Sequence, residues 1–156
     1  MISLAWSPDG NLLATGAARD TNSAVLIYDA ETGGITAGFS ETYNGVLSLA
    51  WAPFGIRLAS GLGNGNVAIW SAETYSVQTI LIGDAGGINS VAWSPNGNLL
   101  TAGSANGSVM LWDAESGQEL ATQVGHEAVV AAVAWAFDSS YHVSAAIDGT
   151  IQAWNQ

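Results

Sequence analysis

Four copies of one sequence unit, each about 42 residues long, fill almost the whole of this 156-residue chain. Three copies begin with ISLAWSPDGNLLATG, LSLAWAPFGIRLASG and NSVAWSPNGNLLTAG, and the fourth follows more loosely as AAVAWAFDSSYHVSA. Two aromatic positions mark each copy: the first holds Trp6, Trp51, Trp93 and Trp135, and the second holds Tyr28, Trp70, Trp112 and Trp154. A repeat of this kind predicts stacked structural units that bury their apolar faces against one another.

Each copy divides into four short strands separated by turn signals. The apolar run around the first tryptophan is followed by a turn such as PDGN or PNGN, in which Pro fixes one dihedral angle and Gly permits a positive φ. An Asn-Gly or Asp-Gly pair, the strongest local hairpin signal, separates the second strand from the third. A turn such as DAESGQ leads to the fourth strand, and helical periodicity appears nowhere. The sequence therefore predicts an all-β fold built from four-stranded antiparallel sheets.

The composition limits the environment and the partners of the chain. Only 10% of the residues are charged and 49% are apolar, as expected if both faces of each sheet are packed. The absence of cysteine excludes disulfides and thiolate metal sites. The net charge of -11 argues against nucleic acid and anionic membranes as partners, because both require clustered Lys or Arg. We see no signal peptide or membrane-spanning run, so a cytoplasmic location is the default expectation.

The repeat resembles the WD-repeat family of β-propellers in its length, its four strands and its aromatic-acidic endings. The matching motifs are AWSPDG and AWSPNG, LATG and LASG, IYDAETG and LWDAESG, and one Gly-His pair at Gly125 and His126. The resemblance covers nearly the whole chain and implies one domain over 1–156. Its blades of four antiparallel strands would lie at about 1–40, 41–82, 83–124 and 125–156, the last blade having only three strands.

The resemblance also implies a structural hydrogen-bond network in the last blade, formed by His126, Ser144, Asp148 and Trp154. By residue type alone, the first three would also permit a hydrolase triad. The structural interpretation is favoured, because the segment HVSAAI is typical of a strand and not of the G-x-S-x-G elbow that exposes a nucleophile. We therefore expect no catalytic residue, no cofactor and no metal site.

Two further features leave alternatives open. His142 stands where the other copies have leucine, and it could lie at a loosened end of the last blade, contact a second chain, or bind a metal without a second His or Cys at ligand spacing. The turn carboxylates are interpreted as solvated, because a calcium loop requires alternating oxygen ligands closed by a bidentate Glu. These carboxylates are Asp29, Glu31, Asp113 and Glu115.

Members of the family commonly bind partners on the face around the central channel, and the resemblance identifies the positions of that face. They carry no charge and no aromatic ring: Ile2, Gly45, Leu47, Gly63, Gly87, Asn89, Ala105, Val129, Ala131 and Ile147. Interface hot spots are enriched in Trp, Tyr and Arg, so a tight peptide site on this face is not favoured. Proteins or peptides bound here would depend on small or apolar contacts.

Three hypotheses of function follow from these features. The favoured one is a non-enzymatic propeller that serves as a scaffold or protein-interaction module. The second is a small-molecule binder or enzyme with a site in the propeller channel, which would need convergent polar groups that the face positions hardly supply. The third is an engineered or truncated self-assembling fragment that has no ligand of its own.

The number of strands leads to a prediction about assembly. Closed propellers have about four to eight blades, and members of the family usually have about seven or more, so four blades would form an open arc. The sequence begins in a first strand, so we expect no segment that clasps the three-stranded last blade. Two arcs could bury their apolar end faces by closing an eight-bladed ring around a two-fold axis. We therefore expect a homodimer joined through the terminal blades.

Overall fold

The computed structural model describes residues 3–17, 25–39, 45–84 and 86–155. These residues form fifteen strands in four antiparallel sheets, and none of them lies in a helix. Accordingly, the described ranges contain no helix that could cross a membrane. Three sheets have four strands and the last has three, which confirms the prediction of an all-β fold with four blades.

The strands of each blade pair in chain order, so every blade is a meander. Blade 1 contains β1 (Ser3–Trp6), β2 (Leu12–Gly16), β3 (Val25–Asp29) and β4 (Ile35–Phe39). Blade 2 contains β5 (Val46–Trp51), β6 (Arg57–Leu62), β7 (Val67–Ser71) and β8 (Ser76–Leu81). Blade 3 contains β9 (Ile88–Trp93), β10 (Leu99–Ser104), β11 (Ser108–Asp113) and β12 (Glu119–Val124). Blade 4 contains β13 (Val130–Trp135), β14 (Tyr141–Ala146) and β15 (Ile151–Asn155).

Turn chemistry holds the first two strands of a blade in register. In blade 3, Ser94 Oγ accepts the backbone N–H of Leu99 at 2.9 Å and donates to Asn96 Oδ1 at 2.7 Å. Gly97 completes the turn with a φ of 73°, in the left-handed region that favours glycine. In the resulting register, Trp93 lies opposite Leu100, and Trp6 lies opposite Leu13 in blade 1.

The hydrophobic core lies between the blades. One cluster joins blades 1 and 2 and contains Ile27 and Phe39 of blade 1 with Leu58 and Trp70 of blade 2. Two further clusters join blade 2 to blade 3 and blade 3 to blade 4. Both faces of the two middle blades are therefore buried, which explains their continuous apolar strands and the low charge content of the chain.

Glycines in the second strands allow neighbouring blades to approach closely. A Cβ atom added at Gly16 would lie 2.6 Å from Val46 Cγ1, and one added at Gly61 would lie 2.6 Å from Ile88 Cγ2. A Cβ atom at Gly103 would lie 3.0 Å from the Cβ of Val130. In all three junctions, a branched side chain of the following blade thus fills the space that a larger second-strand residue would need.

Replacing Gly103 with Ala should destabilise the chain by about 1–3 kcal/mol, because the new methyl group overpacks the junction of blades 3 and 4. The free energy of unfolding in urea measures this effect. The matched control is Gly34→Ala in an exposed turn, where the nearest atom to the new Cβ would be Thr32 Oγ1 at 3.3 Å. Equal effects of the two substitutions would contradict close packing at Gly103.

Candidate functional site

The junctions between blades repeat one hydrogen bond. Trp51 Nε1 donates to the carbonyl oxygen of Ala5 at 3.0 Å, across the junction of blades 1 and 2. The same bond joins Trp93 Nε1 to Ala50 O at 3.0 Å and Trp135 Nε1 to Ala92 O at 3.2 Å. In each case, the acceptor is the alanine that directly precedes the first-strand tryptophan of the preceding blade. The Ala-Trp pair therefore links each of the two middle blades in two directions, through its carbonyl group and through its indole.

Blade 1 exposes the surface that a preceding blade covers elsewhere. Leu4 is 55% exposed, whereas the equivalent Leu49, Val91 and Val133 are 8%, 7% and 9% exposed. Trp6 is also 55% exposed, and its indole N–H has no hydrogen-bond partner in the described part of the chain. Strand register places Leu13, Leu26 and Tyr28 on this side of the sheet, together with Thr15. We call the apolar members of this set the leading face: Leu4, Trp6, Leu13, Leu26 and Tyr28.

Blade 4 exposes the opposite side of its sheet. Ile151 is 74% exposed, whereas the equivalent Val25, Val67 and Val109 are completely buried by the following blade. Most of its neighbours in register on the same side are small or medium-sized apolar residues, and Tyr141 and Asn155 lie at one end of this side. We call this set the trailing face: Ala132, Ala134, Val143, Ala145, Ile151 and Ala153.

A chain of hydrogen bonds ties the loop before β13 to blade 4. Trp154 Nε1 donates to Ser144 Oγ at 2.7 Å, and that oxygen lies 2.7 Å from Nε2 of His126. On the other side of the imidazole, Nδ1 lies 2.8 Å from Thr150 Oγ1, which donates to Asp148 Oδ1 at 2.7 Å. The four residues named from the sequence are thus brought together, but Asp148 reaches His126 only through Thr150. The sequence analysis missed Thr150, although the DGT turn contains it.

The direction of these bonds follows from the number of protons. Thr150 has one hydroxyl proton and donates it to Asp148, so His126 must donate through Nδ1. The oxygen of Ser144 receives the indole N–H of Trp154 and lies within hydrogen-bond distance of Nε2 of the same imidazole. Every donor in the network has a partner, as a buried polar network requires in order to stabilise a fold.

The same geometry does not favour nucleophilic catalysis. Ser144 is buried in the regular strand β14, and its oxygen already accepts the N–H of Trp154. Thr150 stands between His126 and the carboxylate of Asp148. A serine nucleophile needs an exposed oxygen beside an oxyanion hole. The arrangement is therefore suited to holding the third strand of blade 4 in place.

Blade 3 has a carboxylate in the position of the histidine. Asp84 Oδ1 accepts the N–H of Gly86 at 3.0 Å and the hydroxyl of Ser104 at 2.8 Å, and Oδ2 accepts Nδ2 of Asn106 at 2.7 Å. Partial burial by itself raises the pKa of Asp84, but these hydrogen bonds outweigh burial and the pKa lies below its usual value. Asp84 thus links the loop before β9 to the turn between β10 and β11.

The turn carboxylates accept backbone and hydroxyl hydrogen bonds. Asp29 Oδ1 accepts from Oγ1 and N of Thr32, both at 2.7 Å, and Asp113 Oδ1 accepts from Oγ and N of Ser116, also at 2.7 Å. These bonds hold the pKa of both carboxyl groups below the ordinary value. Among the residues that the structure describes, no three His, Asp or Glu side chains form a group able to hold a metal ion.

His142 is buried inside the junction of blades 3 and 4. Its side chain stacks on Trp135 with ring centroids 4.9 Å apart, on the side of the sheet where Trp135 donates to Ala92. The residue is 1% exposed, so a contact of His142 with a second chain, one of the three interpretations above, is wrong. Neither ring nitrogen has a hydrogen-bond partner within the described ranges, and burial lowers the pKa of His142.

The positions of the proposed partner face lie at the starts of first strands and in the turns between second and third strands. Backbone N–H groups of the turns donate to carbonyl groups at the strand starts: Gly63 to Gly45, Ala105 to Gly87, and Ile147 to Val129, at 2.9 to 3.0 Å. All nine described positions are half-buried or exposed, including Leu47, Asn89 and Ala131, while Ile2 lies outside the described residues. The turn positions carry no charged side chain, and Ile147 is the largest exposed one among them.

Comparisons with known proteins agree with this architecture. Residues 1–122 match the family model described as the IFT140 first beta-propeller, and residues 117–155 match that of the WD domain, G-beta repeat. No curated protein gives a significant match. The crystal structure of the computationally designed Ika4 protein is 28% identical with a TM-score of 0.85, over 98% of this chain and 89% of that chain. The computationally designed Ika8 protein has the same identity and TM-score, over 99% of this chain but only 45% of that chain.

Replacing Ser144 with Ala should destabilise the protein by about 1–3 kcal/mol, because it leaves Trp154 Nε1 and His126 Nε2 without their partner. Urea denaturation measures the loss, and Ser116→Ala in an exposed turn is the control. His126→Ala should likewise destabilise blade 4. An esterase activity that His126→Ala abolishes without a change in stability would contradict the structural role.

Replacing His142 with Leu, the residue of the other three blades, should reduce the acid sensitivity of the fold. Because the folded pKa of His142 is lowered from 6.5, the unfolded chain binds a proton first as the pH falls, and stability is lost below about pH 6.5. The Leu variant lacks this loss, so its advantage in free energy of unfolding should grow from pH 7.5 to pH 5.5. An advantage that is independent of pH would contradict the prediction.

Proposed function

This chain belongs to the WD-repeat β-propeller family, as its match to the IFT140 first beta-propeller shows, and on this basis we propose that it is a non-enzymatic scaffold for protein contacts. In this proposal, two chains assemble into one ring. Propeller blades need a neighbour on each side to bury both faces of their sheets. Within one chain, only the two middle blades have a neighbour on each side, and blades 1 and 4 have one neighbour each.

The exposure of the two end faces is the observation that carries the proposal. Leu4 on the leading face and Ile151 on the trailing face are exposed where the equivalent interior residues are buried, and Trp6 is exposed where its equivalents are buried or half-buried. Both faces are mainly apolar, and their residues are adjacent in register; exposed apolar surfaces of this kind mark sites of interaction. A second copy of the chain offers one face of each kind, so that two junctions would cover all four end faces.

The comparison with Ika8 supports a ring of eight blades. This four-bladed chain covers 45% of the Ika8 chain with a TM-score of 0.85, so the remainder of that chain has room for about as many blades again. The four blades therefore have a curvature compatible with one part of a longer propeller chain. Two copies related by a two-fold axis would supply eight blades.

A scaffold role agrees better with the chemistry of the chain than a channel enzyme does. The described positions of the proposed partner face supply one amide, Asn89, and no ionisable group, whereas a binding or catalytic site needs several convergent polar groups. The polar network around His126 is saturated by its own members. The net charge of -11 is unfavourable for binding to nucleic acid or to an anionic membrane. Proteins or peptides with small apolar contact residues are the partners that such a face would accept.

Sedimentation equilibrium or light scattering tests the ring directly. We expect a species of about 32 kDa at micromolar concentration, twice the 15.9 kDa of one chain, and no larger species. A closed ring has no free end face, so the mass should not increase further with concentration. A chain that remains at its monomer mass, or one that grows into long polymers, would contradict the closed ring of two.

A further inference from the structure

We infer that two copies join head to tail, the leading face of one chain on the trailing face of the other, with the Trp6 indole N–H donating to the carbonyl oxygen of the partner's Ala134. This inference rests on the proposed ring and specifies which surfaces meet. A ring could in principle also pair like faces, leading on leading and trailing on trailing. Three observations favour the head-to-tail arrangement.

The first observation is that a hydrogen bond repeated at every interior junction leaves one donor and one acceptor without a partner at the two ends of the described part of the chain. Every interior junction joins a first-strand Trp Nε1 to the carbonyl oxygen of the Ala before the preceding first-strand Trp. Within the described residues, the donor without a partner in this series is Trp6, and the acceptor without a side-chain donor is Ala134. Ala134 is exposed on the trailing face and directly precedes Trp135. One head-to-tail junction would therefore satisfy both groups with the bond that the fold already uses three times.

The second observation is a paired change in side-chain size. At the interior junctions, a second-strand glycine faces a β-branched residue located five positions before the next first-strand Trp, as Gly61 faces Ile88. The trailing face has Ala145 in place of this glycine, and its methyl group leaves no space for a β-branched neighbour. The residue five positions before Trp6 is Met1, which lies outside the described residues and has an unbranched, adaptable side chain. In the sequence, the first and last copies thus depart together from the glycine and the β-branched residue that the interior junctions combine.

The third observation is that like faces do not complement each other. Two leading faces would bring together large side chains and two Trp6 indole donors, with no acceptor for either indole. Two trailing faces would bring together two Ala134 carbonyl acceptors and no indole donor. A leading and a trailing face combine large with small and donor with acceptor, as specific interfaces require.

One difference makes this junction weaker than the interior ones. At two interior junctions, Ser3 Oγ accepts the backbone N–H of Leu49 at 3.0 Å and Ser90 Oγ accepts that of Val133 at 3.1 Å. At the third, Ser48 Oγ instead donates to the carbonyl oxygen of Ile88 at 3.2 Å. The trailing face has Ala132 at this position, so the N–H of the partner's Leu4 would find no hydroxyl oxygen there. Introducing a hydroxyl group at residue 132 should therefore tighten the association.

Two charge variants test the pairing of the faces by complementation. Leu4→Glu places a charge on the leading face and Ile151→Glu places one on the trailing face, and both residues are exposed in the single chain, so folding is retained. Head-to-tail pairing predicts that each variant alone is monomeric at concentrations where the wild type is dimeric, with dimer Kd raised about 100-fold or more. A mixture of the two variants should form a 1:1 complex, because one junction in that complex has two intact faces. Val124→Glu, which is exposed on β12 outside both end faces, should leave the dimer unchanged.

A gain in affinity provides an independent test. Ala132→Ser should tighten the association about fivefold per junction, and hence about 25-fold in the Kd of a dimer with two junctions, because each new hydroxyl accepts one N–H. Ala131→Ser, at the neighbouring exposed position, is the matched control and should leave Kd unchanged.

The outcomes separate this inference from the proposed ring. A wild-type chain that stays monomeric would overturn the ring and the inference together. A dimeric wild type whose Leu4→Glu variant still dimerises through its trailing faces would keep a two-chain assembly and overturn head-to-tail pairing. Equal affinities for Ala132→Ser and Ala131→Ser would also overturn the proposed register of the junction.

Discussion

The packing of one sheet on the next, fixed by a first-strand indole that donates to a carbonyl oxygen of the preceding blade, is the interaction on which the rest of this structure depends. A small antiparallel sheet with two apolar faces is not stable alone, so each blade gains its stability from its neighbours. The indole bond sets the register of that contact at Trp51, Trp93 and Trp135. The second-strand glycines then permit the close approach, and the core forms between the blades.

The polar networks hold the loops and the third strand of a blade in place. Blade 4 lacks the fourth strand of the other blades among the described residues, so one edge of β15 is unpaired there. Trp154 is nevertheless bonded to Ser144, and Gln152 Nε2 donates to the carbonyl oxygen of Gly125 at 2.7 Å. These bonds keep β15, and with it Ile151 and Ala153 of the trailing face, in the conformation that a neighbouring blade requires. A preformed face of this kind loses little conformational entropy on binding.

Much of the architecture could be predicted from the sequence, because short local motifs determine it and these motifs recur in each copy. The recurrence of Ala-Trp, the Pro-Gly turns and the Asn-Gly hairpins determine the number of strands, the number of blades and the missing fourth strand. The members of the polar network around His126 were identified through the family resemblance, but the bridging position of Thr150 depends on the geometry of a turn. The burial of His142 follows from the side of the sheet that faces blade 3, and the sequence alone does not show which side this is. The match between Trp6 and Ala134 likewise emerges only when the three interior junctions are compared in space.

The central claim is that the end faces of one chain are completed by those of another, and the indole N–H of Trp6 reports on it directly. The chain has seven tryptophans, so a ¹⁵N-labelled sample should give seven indole resonances whose hydrogen exchange can be followed individually. The account predicts that the N–H of Trp6 is protected from exchange to a similar degree as those of Trp51, Trp93 and Trp135, and that its protection alone is lost on dilution below the Kd of the dimer. Rapid exchange at Trp6 at every concentration, with protection at the three interior tryptophans, would contradict it.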